Sequence, residues 1–197
     1  MSDQEPEYRE ITSPTDPAYE EWKRIYLASF PEEERMSLAY FDGILNKNEE
    51  GGHMLIQTYQ GKVAGIAYYE SKSDIDAFYL WYIAIDSEQR AHGLGTRFYE
   101  ELLRRAAHES AKLIIFEVEI PQTDSDEASR RIDWYRRLGA HVLTGIHYVQ
   151  SVDSGEPPIP MYLMFHPVTT ITPEDAFHTA EALFEDAVHQ TGLLGFD

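Results

Sequence analysis

The chain has 197 residues, with 35 Asp and Glu against 16 Lys and Arg and a formal net charge of −19; this balance excludes general binding to nucleic acid or anionic membrane, which needs basic patches against phosphate. There is no cysteine, so disulfides, thiolate metal sites and a cysteine nucleophile are excluded. The start Met1-Ser2-Asp3-Gln4-Glu5 is polar and no apolar run reaches the ~18 residues of a membrane span, which leads to the expectation of an acidic, cytoplasmic globular protein with one domain and an extension.

The first ten residues read as a polar lead-in. Asp16 as N-cap and Pro17 at the first helical position open a helix, which Trp22, Ile25, Tyr26, Ser29 and Phe30 carry to Pro31. A second helix is expected over 33–45, where Met36, Tyr40 and Ile44 lie four apart. The run Glu32-Glu33-Glu34 sits at its start, where the helix dipole favours anions. Runs 54–59 and 63–70 flank Gln60-Gly61-Lys62 as a hairpin. Residues 76–85 read as a strand dense in aromatics (Phe78, Tyr79, Trp81, Tyr82), 95–109 as a helix and 113–120 as a strand closed by Pro121. Together these predict a parallel, right-handed crossover. A helix over 125–138 stops at Gly139, and strands 141–149 and 161–165 follow, joined by a loop over 151–160 that holds Gly155, Pro157, Pro158 and Pro160. Thr172-Pro173-Glu174-Asp175 opens a last helix. Its apolar stripe runs through Phe177, Ala180, Phe184, Ala187 and Val188 to a stop at Gly192.

The informative stretch is 82–96, in which a strand runs into a short loop, then Gly93-Leu94-Gly95, then a helix. Such a turn presents successive backbone N–H groups at a helix N-terminus and binds phosphate without a positive side chain. A P-loop is excluded because Thr96 follows Gly95 with no Lys, and a dinucleotide fingerprint because position 98 is Phe. The eight histidines show no metal-ligand spacing, so no metal is expected.

Arg90-Ala91-His92-Gly93-Leu94-Gly95 resembles the Arg/Gln-x-x-Gly-x-Gly/Ala signature of the GNAT acyltransferases. Trp134-Tyr135-Arg136-Arg137-Leu138-Gly139-Ala140 is similar to that family's Phe-Tyr-x-x-x-Gly-Phe segment, and the element order agrees over about 8–166. The resemblance implies a mixed α/β fold, with a mostly antiparallel central sheet, a parallel β4-α3-β5 crossover, helices on both faces and, in this chain, an extra C-terminal helix. It implies an acetyltransferase domain over 1–166, leaving 167–197 as a helical extension. It also implies that acetyl-CoA lays its pyrophosphate on Arg90, Ala91, His92, Gly93, Leu94, Gly95 and Thr96, and its pantetheine arm along the backbone of Ile83, Ala84 and Ile85. The chain departs from the family at Ala128 and Arg131, where Asn and Ala are common, and at Ala140, where an aromatic is usual.

The reaction so implied moves an acetyl group from acetyl-CoA to a primary amine, of a small molecule or a protein, by direct attack. It needs a base for the amine, an acid for the thiolate and a donor for the thioester oxygen. Tyr135 matches the family's tyrosine near the sulfur; read alone, it is a helix aromatic packed on the sheet. The family's common carboxylate position falls on Tyr79, which cannot serve as base at neutral pH. Alternation along 113–120 puts Ile114, Phe116, Val118 and Ile120 on one face and ends the other with Glu117 and Glu119. These carboxylates sit at the C-terminal end of a parallel strand, where open α/β sheets bind ligands, or they are a solvated strand end. Glu117, one step deeper, is the base candidate. Arg97 is the better phosphate partner among the arginines, since those at 130, 131, 136 and 137 read as a solvated helical face; His147 and Tyr148 lie on the sixth strand near the acceptor side that the resemblance implies, and His147 reads as structural.

The alternative reading is a non-catalytic acyl-CoA-binding sensor or interaction domain of the same fold. The net charge points to a cationic acceptor, with the aromatics of 78–82 adding cation–π contacts. The segment Leu193-Leu194-Gly195-Phe196 either folds back onto its own sheet or caps a homodimer. Nucleic-acid and membrane partners are not expected.

Overall fold

The computed structural model describes residues 5–47, 51–90, 92–123, 126–150 and 159–197, without the side chains of residues 33 and 47. The chain forms two compact units, Met1–Ser71 with Leu80–Arg105, and Lys72–Tyr79 with Ala106–Asp197.

In the first unit, β1 (Glu7–Ile11) pairs antiparallel with β2 (Gly52–Tyr59), and β2 forms a hairpin with β3 (Lys62–Lys72). The hairpin turn is the expected one, with Gln60 and Gly61 both at positive φ (51° and 76°), as a tight two-residue turn matched to strand twist requires. The polar lead-in is corrected. Residues 7–11 are an edge strand, held by Tyr8, whose ring stacks on Phe98 and whose hydroxyl donates to the Arg97 carbonyl at 3.1 Å. Helix α1 (Pro17–Ser29) starts at Pro17 as predicted, the Asp16 carboxylate accepting from the Ala18 N–H. The second helix is shorter than expected: 32–34 is a 3-10 turn and α2 spans Leu38–Lys47. Tyr82 explains the break. Its hydroxyl donates to the Glu34 carbonyl at 2.8 Å and accepts from the Met36 N–H at 3.1 Å, so those backbone groups are engaged outside any helix. Trp22, Ile25, Tyr26, Phe41, Met54, Ile66, Tyr68 and Tyr82 form the core of this unit. Strand β4 (Ala77–Ile85) contributes its second half here and is followed by α3 (Leu94–His108).

In the second unit the first residues of β4 pair in parallel with β5 (Leu113–Glu119), in the register Ala77↔Leu113 to Tyr79↔Ile115. The strand-helix-strand crossover is thus parallel, as the sequence implies. Helix α4 (Glu127–Arg137) is capped by Asp126, and β6 (His141–Gln150) and β7 (Ile159–Pro167) follow. The strand order is β4-β5-β7-β6-β8, with β5-β7, β6-β7 and β6-β8 antiparallel. Residues 151–158 of the predicted loop lie outside the described residues.

The tail departs from expectation. Helix α5 (Pro173–Phe184) begins with the predicted Thr172 cap, reciprocated by Asp175, but it ends at Phe184. Glu185 adopts φ 43° and ψ −120°, which no helix continues. A 3-10 turn over 185–187 leads into β8 (Val188–Phe196), which pairs with β6 from Tyr148↔Val188 to Leu143↔Phe196. Residues 193–196 therefore fold back onto their own sheet. The tail is a helix and a strand rather than a helix alone.

Candidate active site

In the first unit the loop before α3 has the geometry of an anion site. Gly93 sits at φ +68°, and a Cβ built on it meets nothing within 4 Å. The first helical hydrogen bond runs from the Arg97 N–H to the Gly93 carbonyl at 3.2 Å. The N–H groups of Leu94, Gly95 and Thr96 therefore lie before any intrahelical partner and point beyond the helix end. From below, the Gln57 side chain donates to the Leu94 carbonyl at 3.1 Å and fixes the turn. Gly65 lets β3 pass under it, since a Cβ there would fall 2.7 Å from Ile85 Cδ1 and 3.1 Å from Phe98 Cδ1.

The residues assigned to the cofactor behave differently from one another. Ile83, Ala84 and Ile85 are only partly buried although they are apolar and end a strand that is otherwise nearly all buried. Arg90 and His92 are exposed, and His92 Nδ1 lies 3.3 Å from the Gln89 carbonyl. Leu94 is buried with Tyr59 and Ala64, so only its backbone faces the turn. Gly95 and Thr96 are partly exposed, and Ala91 lies outside the described residues. Arg97 reaches Glu5 at 2.9 Å. The partly open apolar strand end, the N–H groups without an intrahelical acceptor and the open space over Gly93 fit a pantetheine arm and a pyrophosphate. Among the described residues no three His, Asp or Glu side chains are placed to hold a metal.

In the second unit Glu117 is the centre of a cluster. Its Oε1 accepts hydrogen bonds from Tyr79 Oη at 3.1 Å and from Tyr148 Oη. The Phe184 ring packs on both tyrosines, with centroids 5.3 Å from Tyr79 and 4.8 Å from Tyr148. Burial pushes the Glu117 carboxyl above its usual range, and the two hydroxyl donors pull the other way without cancelling it. Position 79 is thus a partner of the carboxylate. The runner-up, Glu119, is engaged by Arg131 at 2.6 Å, which gives that departure from the family pattern a role on α4.

Tyr135 is buried, with its ring 4.4 Å from Phe116 and 4.7 Å from Trp134. Phe116 and Glu117 are successive strand residues, so Tyr135 and Glu117 lie on opposite faces of β5. Burial raises the Tyr135 hydroxyl far above its ordinary value, which keeps its proton in place at neutral pH. Of the aromatics in 78–82, Phe78, Tyr79 and Tyr82 are buried. Tyr82 is a core residue, so these side chains are not an open cation–π surface.

Tyr148 and Phe184 were not legible as partners of Glu117. Strand β7 lies between β5 and β6, and residues 143–148 of β6 oppose only residues 161–163 of β7. This three-residue excess sets where Tyr148 falls, and no spacing in the sequence announces it. A cavity of about 530 Å³ in the same unit, lined by Ile132, Arg136, Leu143, Ile146 and Tyr162 among others, takes in none of the predicted site residues.

Comparison with known proteins bears on these observations. The model of the Acetyltransferase (GNAT) family matches residues 15–140. No curated protein matches the sequence. Among solved structures, a protein described as a GNAT-family acetyltransferase from Bacteroides thetaiotaomicron is 24% identical with a TM-score of 0.73, over 90% of this chain and 97% of that one. The ribosomal-protein-S18-alanine N-acetyltransferase from Escherichia coli is 20% identical with a TM-score of 0.61, over 85% and 96%. A GNAT-family acetyltransferase from Elizabethkingia anophelis with acetyl-CoA bound is 14% identical with a TM-score of 0.58, over 85% and 99%. These structures share the fold. With a family model covering well over half its length and both signature segments in their expected structural places, the chain belongs to the GNAT family of acetyltransferases.

Proposed function

We propose that this protein transfers the acetyl group of acetyl-CoA to a primary amine by direct attack. Acetyl-CoA, when bound, supplies a thioester carbonyl carbon activated toward nucleophiles. The backbone N–H groups of Leu94, Gly95 and Thr96 hold its pyrophosphate, and the backbone of the partly buried residues Ile83, Ala84 and Ile85 takes the pantetheine arm.

The observation that carries the reading is the Glu117 carboxyl, which is held by two hydroxyls and has a raised proton affinity. An ammonium cannot attack a carbonyl until it loses a proton. A carboxylate whose burial raises its proton affinity is better matched to that transfer than one in water. Glu117, directly or through water, takes the proton. The nitrogen lone pair then forms the C–N bond as the C–S bond breaks, and the second nitrogen proton passes to water as the amide forms. Tyr135, on the other face of β5, keeps its proton at neutral pH; it gives that proton to the departing sulfur and recovers one from water. The net charge of −19 concentrates cations near the molecule and favours a cationic acceptor.

The test is incubation with acetyl-CoA and a panel of small amines, polyamines and peptides with free amino groups, reading free thiol and the mass gain of one acetyl group on the amine. Thiol release that requires an amine supports the transfer. Tight CoA binding with no release on any amine supports the sensor reading instead. For the acceptor charge, kcat/KM for a polycation should fall as ionic strength rises; a neutral preferred acceptor with no salt effect contradicts it.

A further inference from the structure

The proposed base is held by tyrosines from two strands, and both tyrosines rest on one side chain from the tail. Phe184 is the last residue of α5. Its ring meets Tyr79 edge-on, at an interplanar angle of 86°, and Tyr148 at 55°. The chain then turns at Glu185 and begins β8 at Val188, whose register partner is Tyr148 itself. The tail thus holds Tyr148 twice, by its backbone through Val188 and by its ring through Phe184.

We propose that Phe184 is a positioning residue for the reaction: its ring fixes Tyr79 and Tyr148 so that both hydroxyls reach Glu117 and water is kept off the carboxylate. The tail strand and helix thereby set the proton affinity of a group that lies on another strand. This rests on the reading of Glu117 as the base. Among the described residues the polar groups that bear on Glu117 are Tyr79 of β4 and Tyr148 of β6, while β7 sets Leu163 in register with it and Phe184 of α5 packs on the two tyrosines. Burial outweighs the hydroxyl donors at this carboxyl, so admitting water must lower its proton affinity, whereas deleting one hydroxyl with the ring retained must raise it.

The experiment is a carbon-13 NMR titration of the Glu117 side-chain carboxyl, assigned by its loss in Glu117→Gln, alongside the pH profile of kcat/KM. Phe184→Ala should move the titration midpoint down, and Phe184→Leu should move it down by less. Tyr148→Phe should move it up. The acid limb of kcat/KM should follow each. A folded Phe184→Ala protein with the wild-type midpoint overturns the proposal. Should that variant not fold, Phe184→Leu decides by the same criterion. If the midpoints move as stated and the acid limb does not, Phe184 still positions the cluster and it is the assignment of Glu117 as base that fails.

Discussion

Gly93→Ala separates the role of the loop in binding from its role in folding. Gly93 and Gly61 share two properties: each has a left-handed φ, +68° and +76°, and at each an added Cβ meets nothing within 4 Å. An alanine at either position pays the same left-handed backbone cost, about 1–2 kcal/mol, and clashes with no part of the protein. Both variants should therefore lose similar stability, which for a chain of this length lowers Tm by roughly 2–4 °C per kcal/mol. Only at Gly93 does the methyl group occupy space proposed for a pyrophosphate. Displacing one N–H contact to a charged oxygen costs about 1.5–3 kcal/mol, or roughly ten- to hundredfold in Kd. Calorimetric titration of CoA into both variants reads this directly. If Gly93→Ala, folded to the same degree as Gly61→Ala, binds CoA as tightly as Gly61→Ala does, the pyrophosphate does not lie on this loop.

Three further outcomes are expected. Gly145→Ala places a Cβ 2.2 Å from the Leu193 carbonyl oxygen and 2.7 Å from its carbon, at a φ of +81°; strain and overpacking should together cost about 2–5 kcal/mol in urea unfolding, and a cost below about 1 kcal/mol would mean that β8 is not seated on β6. Glu117 holds its proton more tightly folded than unfolded, so its contribution to stability is complete below its unfolded pKa and is lost as pH rises through the folded one. Glu117→Gln should then be more stable than wild type at about pH 8, with the gap closing toward about pH 4; a gap that does not change with pH contradicts the burial of the charge. Tyr135→Phe keeps the ring on Phe116, and turnover of the folded variant should fall by ~10²–10⁴; turnover within a few-fold of wild type removes the acid role.

How far the sequence carried the architecture depends on how local the determinants were. The α1 and α5 starts were legible because Asp16 and Thr172 cap them with their own side chains. The hairpin was legible because a two-residue turn needs positive φ, which Gly61 supplies. Strand β1 was not, because an edge strand buries little, and Glu7, Arg9 and Glu10 look like any polar lead-in. Strand β8 was hidden by an apolar stripe that continues helical spacing through Val188; the end at Phe184 comes from the backbone of Glu185, which no residue type there signals. At the candidate site, alternation alone found Glu117, since one strand fixes its face. Tyr148 reaches it from a strand beyond the neighbouring one, after a register excess, and Phe184 from the tail. Those contacts are tertiary, and a linear pattern carries no trace of them.

If Glu117 removes the acceptor's proton, the pH profile of kcat/KM for wild type and Glu117→Gln, with the preferred amine at fixed ionic strength, must show it. Wild type should lose activity as pH falls, along a limb displaced above the ordinary carboxylate range. In Glu117→Gln that limb should be gone, with the residual rate following only the ionisation of the amine itself. A limb that persists unchanged in Glu117→Gln would place the base elsewhere.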